Sequence, residues 1–274
     1  MKRSWLASPY AVWMILFTIC PIIFVVYYAV TNADGALTLA NLRRCFDDTT
    51  LTVFWRSLKL ALECTVICLL LGYPTAYFLA SKDFSKYKTL FVLILLPMWM
   101  NFLLRTFATM SLMEKRGIIN TLLGRLGMEP LNMIGTEGAV LFGMVYNYLP
   151  FMVLPIHTSL KKMDVRVIEA AQDLGANSVR VFTRVTLPLS IPGVVSGITM
   201  VFMPSITTFA ISRLLGNNKF MLLGDMIEKQ FMESYDWSFG SALSLFMTVL
   251  IVISIGFLNR IDRSASAKEG GANW

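Results

Sequence analysis

Histidine and charged side chains are scarce in this chain, and their scarcity excludes several classes of function. One histidine, His157, occurs among 274 residues, and charged residues make up 15% of them. His157 lies at the end of a long apolar segment, which excludes a histidine-based catalytic triad or zinc site. The chain has no Gly-x-x-x-x-Gly-Lys-Ser/Thr loop, so it cannot hold ATP phosphates in the usual way. We expect no enzyme activity, no cofactor and no metal in this chain.

Apolar residues are abundant, and they form long runs. The chain is 56% hydrophobic with a mean hydropathy of +0.63, whereas soluble domains are about 45–50% apolar. A helix of about 20 apolar residues crosses the roughly 30 Å hydrocarbon layer of a bilayer. Barrel strands would alternate with a period of two, which runs such as residues 90–96 do not do. The predicted fold is therefore an all-α integral membrane protein with six transmembrane helices, at about 10–30, 56–80, 89–110, 138–160, 191–213 and 240–259.

The distribution of lysine and arginine predicts the orientation of these spans. If the N-terminus is cytoplasmic, the inner segments hold thirteen basic residues and the outer loops hold seven. Basic residues favour the cytoplasmic side, so both termini and the segment 161–190 are expected there. The net charge of +7 then reflects membrane topology rather than nucleic-acid binding. We interpret residues 1–263 as a single transmembrane domain and residues 264–274 as a flexible cytoplasmic tail.

The polar segment between the fourth and fifth predicted spans carries the most specific motif in the chain. It reads Glu169-Ala-Ala-Gln-Asp-Leu-Gly175, and Phe182, Val185 and Leu187-Pro188 follow it. This register resembles the EAA loop of ABC-importer permeases. The resemblance implies a helix from about Val165 to Ala176 that docks into a groove on a cytoplasmic ATPase.

Within that resemblance, the motif residues have expected roles in coupling. Ala170 and Ala171 are small enough for close approach to the ATPase, and Gly175 allows a turn where a Cβ would clash. Glu169 either caps the start of the helix or meets a basic residue of the ATPase. The expected ATPase-coupling residues are Glu169, Ala170, Ala171, Asp173 and Gly175.

The resemblance extends along almost the whole chain, to permeases of spermidine/putrescine importers. It rests on Ser8-Pro9-Tyr10, Met98-Trp99-Met-Asn101, Arg184-Val-Thr-Leu-Pro188 and Phe202-Met203-Pro204. It implies the MetI-like type I permease fold, a cytoplasmic ATPase dimer, a second permease chain and an extracellular or periplasmic polyamine-binding protein. Importers of iron, sulfate or phosphonate share several of these motifs and remain an alternative, as does a membrane assembly subunit without transport. Arg213 stands where some relatives have an acidic residue.

Polar and aromatic side chains inside the predicted spans are candidates for a translocation path. Aromatic faces attract cations by about 0.5–2 kcal/mol. Pro97, Pro150 and Pro204 are expected to interrupt three spans, and such breaks often line transport paths. The alternatives are interfacial anchoring for the aromatic residues and packing kinks for the prolines. The candidate path residues are Trp99, Asn101, Tyr146, Asn147, Thr207 and Thr208.

Two opposite charges, Glu63 and Arg105, fall within predicted spans. A charge at the bilayer centre costs ~3 kcal/mol, so each needs a partner or water. Counting along straight helices places both in the outer half of the membrane. We expect an intramembrane ion pair between Glu63 and Arg105; alternatively, Glu63 faces the path and attracts a cation. Beyond the fifth span, residues 225–233 are expected to form an amphipathic helix over the outer mouth.

Overall fold

The structure is a computed structural model, and it describes residues 8–32, 35–81 and 88–270. Those residues are almost entirely helical, with one isolated antiparallel bridge between Thr31 and Leu37 and no strand. The helices of the first half are α1 (Ser8–Met14), α2 (Cys20–Ala29), α3 (Ala40–Arg44), α4 (Asp48–Ala80), α5 (Lys88–Leu95), α6 (Phe102–Met113) and α7 (Ile118–Arg125). The helices of the second half are α8 (Glu137–Lys162), α9 (Val165–Asp173), α10 (Ser178–Val181), α11 (Leu187–Thr207), α12 (Ala210–Leu215), α13 (Leu223–Met232) and α14 (Trp237–Gly270). Short π-helical segments, Ile15–Ile19 and Phe182–Thr186, join α1 to α2 and α10 to α11, and a 3₁₀ turn, Leu96–Trp99, extends α5.

The centre of the bundle is formed by α4, α8 and α11, each of which packs against the other two. Leu60 of α4 and Met152 of α8 are buried at this junction. A Cβ added to Gly193 of α11 would lie 2.5 Å from the Cβ of Ser159 and 2.9 Å from the carbonyl oxygen of Pro155. Lipid tails are as apolar as these side chains, so membrane helices associate through close packing that small residues permit. The three helices therefore form the frame that positions the other elements.

The segment α1–α2 lies at the edge of the bundle. Its second half, α2, packs against α14. Phe17, Ile23 and Phe24 are exposed over 65%, 59% and 61% of their surface. Large apolar side chains that point outward along a whole helix match a lipid environment rather than water.

The described residues contain six candidate membrane spans. Five helical stretches are long and apolar enough to cross a membrane, and one bent pair makes the sixth. The pair consists of Thr89–Trp99 and Phe102–Arg125, which meet at an angle of 99°. The prediction of an all-α protein with six spans is therefore confirmed when the bent pair counts as one span.

Helix boundaries depart from the sequence-based expectation in three places. First, α4 begins at Asp48 rather than near residue 56. Second, α8 and α11 continue through Pro150 and Pro204, because neighbouring groups in a membrane bundle compensate for the one missing donor. The described helices break instead at Asn101 and around Thr208. Third, α14 runs to Gly270, so residues 264–270 of the predicted flexible tail are helical; residues 271–274 lie outside the described part.

Candidate functional site

The EAA-like motif forms a short, separate helix, α9, just after the end of α8. The carboxylate of Asp164 caps it: Oδ1 accepts a hydrogen bond from the backbone N–H of Arg166 at 2.9 Å. Asp164 therefore has the capping role that the sequence analysis offers as one alternative for Glu169. The predicted helix, from about Val165 to Ala176, ends three residues earlier, at Asp173.

Gly175 ends α9 through its backbone conformation. Its φ is +79°, and the N–H of the next residue, Ala176, donates to the carbonyl of Ala171 at 3.1 Å. A glycine in the left-handed region is a common helix C-terminus, because L-residues with a Cβ are disfavoured there. A Cβ at Gly175 would meet nothing within 4 Å. The turn is thus confirmed, but its expected cause is wrong: strain in φ, not a clash, selects glycine.

The corner that links α9 to α11 is attached to the end of α4 by aromatic contacts. The ring of Phe182 meets those of Tyr73 and Tyr77 edge-on, at centroid distances of 5.9 Å and 5.5 Å. The hydroxyl groups of Tyr73 and Ser190, the latter in α11, are 2.9 Å apart. These contacts connect the corner to α4, and α4 to α11.

The outward face of α9 is open, and no residue of this helix is buried. Glu169, Ala170 and Asp173 are exposed, and Ala171 is half-buried. Beneath the helix, a groove of about 370 Å³ is lined by Tyr77, Ile168, Glu169, Gln172 and Val181, among others. Four of the five predicted coupling residues thus lie on one short helix at one end of the bundle, and the fifth, Gly175, follows shortly after it.

Trp99 and Asn101 lie at the break of the third span. The Trp99 side chain is 86% exposed. Asn101 caps α6: its Oδ1 accepts from the backbone N–H groups of Leu103 at 2.9 Å and Leu104 at 3.3 Å. Asn101 therefore has a structural reason to be present whether or not solute passes it.

Tyr146 and Asn147, adjacent in sequence, have different surroundings. Tyr146 is 41% exposed, whereas Asn147 is fully buried. The Asn147 amide donates to the carbonyl of Gly143 at 2.8 Å, and its Oδ1 has no hydrogen-bond partner. In this conformation Asn147 belongs to the interior of the bundle and not to an accessible wall.

Thr207 and Thr208 lie at the break between α11 and α12. Thr208 has extended backbone and is 6% exposed, while Thr207 is half-buried. The helices that follow the two breaks, α6 and α12, pack against each other. The structure thus places the Trp99–Asn101 and Thr207–Thr208 pairs on neighbouring interrupted segments.

Glu63 and Arg105 are not brought together. Glu63 pairs with Lys59 of its own helix at 3.9 Å. Arg105 is 4% exposed and donates from Nη1 to the carbonyl of Pro97 at 2.9 Å, while its Nε has no partner. The expected ion pair is therefore wrong for this conformation: the carbonyl end of the broken third span, which carries partial negative charge, compensates the guanidinium instead.

The structure shows a charged cluster that the sequence analysis did not predict as a site. It lies at the end of α11 that is farther from α9. Arg213 of α12 contacts Glu228 of α13 at 2.8 Å and Glu233 at 4.0 Å. The sequence predicts α13 as an amphipathic helix, and the structure confirms it, at Leu223–Met232. The sequence contained a signal for this cluster in Asp225, Glu228 and Glu233. The first two lie three residues apart and therefore share one face of the helix.

The carboxyl group of Asp225 is partly withdrawn from water at the start of α13. Burial raises its pKa to about 6, although a hydrogen bond from the backbone N–H of Leu222, at 2.8 Å, opposes the shift. Its other oxygen, Oδ1, has no hydrogen-bond partner. Asp225 both caps α13 and adds charge to the cluster.

Comparison with known proteins gives a consistent result over the full length. Residues 3–267 match the family described as "Binding-protein-dependent transport system inner membrane component". The chain is 38% identical over 265 residues to the spermidine/putrescine transport system permease protein PotB of Haemophilus influenzae, covering 93% of this chain and 92% of that protein.

Solved structures agree on the fold at low sequence identity. A bacterial alginate ABC transporter, in complex with an alginate pentasaccharide-bound periplasmic protein, matches with a TM-score of 0.77 and 17% identity over 96% of each chain. The MetNI methionine ABC transporter matches with a TM-score of 0.61 and 16% identity, over 78% of this chain and 95% of that one. These likenesses confirm the predicted MetI-like permease fold.

Proposed function

The chain belongs to the family of binding-protein-dependent transport system inner membrane components, and we propose that it is the permease subunit of an ATP-driven importer of spermidine or putrescine. It is a multi-pass protein of the bacterial inner membrane. The observation that carries the substrate assignment is the similarity to PotB, which spans nine-tenths of both chains. Iron, sulfate and phosphonate remain the competing cargoes.

The coupling mechanism rests on α9. Its open polar face, with Glu169, Ala170 and Asp173, suits the groove of a separate cytoplasmic ATPase. When nucleotide binding closes an ATPase dimer, α9 moves with it. The Phe182 contacts to Tyr73 and Tyr77 support transfer of that movement to α4. ATP hydrolysis takes place on the partner ATPase. This chain transmits the resulting movement to its spans and catalyses no reaction itself.

The orientation follows from charge. The α8–α11 corner carries Lys161, Lys162, Arg166, Arg180 and Arg184. Basic segments of this kind favour the cytoplasmic side, which supports a cytoplasmic position for α9 and both termini. The α12–α13 end of the bundle then faces the periplasm or the exterior, where a polyamine-binding protein delivers solute.

The path is expected to be shared with a second, PotC-like permease chain. Trp99, Tyr146 and Thr207 are the accessible candidates from this chain, and the buried Asn147 and Thr208 join them only if the helices around them move. These side chains are polar and aromatic rather than acidic. The partner chain and the binding protein therefore contribute much of the selectivity for polyamines.

One experiment tests both the assembly and the cargo. The chain is co-expressed with the neighbouring ATPase, second permease and binding protein, and the purified complex is placed in liposomes. We expect ATP hydrolysis to rise with spermidine or putrescine, and labelled polyamine to accumulate on the side of the ATPase. Stimulation by sulfate, phosphonate or iron but not by polyamines would contradict the substrate assignment. A complex that forms but hydrolyses no ATP with any cargo would contradict transport.

A further inference from the structure

Helix α13 covers the open end of α11. A Cβ added to Gly224 would lie 2.6 Å from the carbonyl oxygen of Thr207 and 2.7 Å from that of Thr208. The α13 backbone therefore lies directly against the last carbonyls of the interrupted helix. The backbone N–H of Leu223 also donates to Oγ of Ser57 in α4 at 2.8 Å. The start of α13 is thus held in place while the rest of the helix extends over the break.

Two cavities meet at α13. One, of about 280 Å³, opens at the end of the bundle and is lined by Arg213, Phe220, Asp225, Glu228 and Glu233, among others. The other, of about 440 Å³, is a groove that runs beside the break between α11, α13 and α14. Its walls include Thr207, Phe209, Ile227, Glu228, Met247 and Ile251. Glu228 lines both cavities and so lies between them.

Glu228 and Arg213 are held together by a weak contact. Oε1 of Glu228 lies 2.8 Å from Nη1 of Arg213, and the two side chains are 26% and 50% exposed. A half-exposed ion pair contributes little net stability, because water solvates the separated charges well. Another cation of suitable shape can therefore replace the guanidinium at modest free-energy cost.

We propose that Glu228 receives an ammonium group of the entering polyamine in exchange for Arg213, so that this ion pair is the gate between the outer cavity and the groove at the break. The proposal rests on the proposed function. The groove suits such a ligand: Glu228 supplies a carboxylate, and the 46% exposed ring of Phe209 supplies an aromatic face for a cation. Ile227, Met247 and Ile251 supply apolar walls for the methylene chain. A cargo with a single negative charge would meet the carboxylate and be repelled.

Cargo binding by Glu228 and a purely structural ion pair predict different effects of substitutions at Glu228 and Arg213. If Glu228 binds the cargo, its carboxylate is required and Arg213 is a competitor. If the pair only holds α13 in place, loss of either partner has the same effect, and exchanging the two charges restores function.

The test is polyamine uptake by the complete complex in liposomes, with its partner permease, ATPase and binding protein. Uptake of labelled spermidine and putrescine and hydrolysis of ATP are measured in parallel. We expect Glu228→Gln to lower uptake about tenfold or more, as the loss of a charge-assisted hydrogen bond predicts. Stimulated ATP hydrolysis should stay within about twofold, since α9 is untouched. Arg213→Gln should keep at least half of the uptake, and the double exchange Arg213→Glu with Glu228→Arg should not restore it.

The controls separate the possible failures. Glu129→Gln, in an exposed loop, should match the unmodified complex, and co-elution of all chains verifies assembly. If Glu228→Gln does not assemble, Glu228→Asp and Glu228→Asn carry the same comparison, and the aspartate should transport better. Equal losses in both single variants with rescue by the exchange would overturn the proposal, and so would normal uptake by Glu228→Gln. If the unmodified complex transports neither polyamine, the proposed function itself fails.

Discussion

At the scale of single residues, backbone conformation decides which residue types can occupy position 175, at the end of α9. Gly175 is surface-exposed and touches nothing that a Cβ would displace, yet its φ of +79° admits few residue types. Among residues with a side chain, asparagine enters this region most readily, whereas β-branched residues are strongly disfavoured. The end of the coupling helix is thus set by one torsion angle.

That torsion predicts a graded response to substitution. Gly175→Val should destabilise the α9 turn by about 1–2 kcal/mol and reduce polyamine uptake severely, while Gly175→Asn should keep most of the uptake. Both variants should insert into the membrane at normal levels, because the turn lies outside the bundle. Uptake by membrane vesicles, normalised to the amount of complex, measures the effect. Equal activity of the two variants would remove the case for strain in φ.

The predicted ion pair between Glu63 and Arg105 does not form, because the backbone places the two residues differently from a straight-helix count. Counting 1.5 Å per residue assumes a straight third span, but that span turns by 99° just before Arg105. The bend brings Arg105 to the carbonyl of Pro97, and Glu63 pairs within its own helix. Residue types identified both charges as unusual, but only the backbone path could identify their partners.

At the scale of elements, Phe182 connects the corner that follows α9 to the end of α4. Two edge-on aromatic contacts of this type contribute roughly 1–3 kcal/mol in total. The start of α9 was predicted correctly at Val165, whereas its end was placed three residues too late, although Gly175 is a strong helix-end signal. The breaks were harder to place: a proline inside a span looks the same in sequence whether the helix stops, as after Pro97, or continues, as at Pro150.

Phe182→Ala tests the mechanical link between the coupling helix and the spans. The change removes both ring contacts while leaving the exposed face of α9 intact, so the ATPase should still bind. We expect ATP hydrolysis to continue and the number of polyamines taken up per ATP to fall several-fold. Val179→Ala, whose side chain is 70% exposed nearby, is the matched control and should behave normally. A normal ratio in Phe182→Ala would show that force travels by another route.

Helix α13 should respond to pH through Asp225. Because the pKa of this carboxyl rises from its ordinary 3.8 to about 6 on folding, the folded state holds the proton more tightly. The resulting stabilisation is fully present below about pH 4 and is lost as the pH rises through about 6. The unfolding temperature of the detergent-solubilised chain should therefore fall between pH 5 and pH 7. Asp225→Asn should show a smaller fall, and an equal fall would exclude Asp225 as its source.

At the scale of the whole molecule, the two ends of the bundle differ in structure. One end presents α9, and the other carries α12, α13 and the charged pair Arg213–Glu228. The six-span count and the helical class follow from long apolar runs alone, whereas the packing of α6 on α12 depends on contacts distant in sequence. No local pattern in the chain encodes which interrupted segments become neighbours.

Cysteine labelling of this arrangement tests the orientation. In a background without the four native cysteines, Lys229→Cys on α13 should react with an impermeant maleimide in intact cells. Gln172→Cys on α9 should react only after the cells are broken, because the proposed orientation places it in the cytoplasm. Labelling of both variants before lysis, or the reverse pattern, would contradict the assigned topology.

The length of α4 has a consequence for the membrane around the protein. Its 33 residues span about 50 Å at 1.5 Å per residue, roughly 20 Å more than the hydrocarbon layer. An upright α4 must project past the acyl chains, and the hydrogen bond from the Leu223 N–H to Oγ of Ser57 places the start of α13 beside the first part of α4. In the proposed orientation this end of α4 lies on the outer side and holds α13 above the lipid surface, so we expect a thicker bilayer to submerge α13 and slow the import of polyamines.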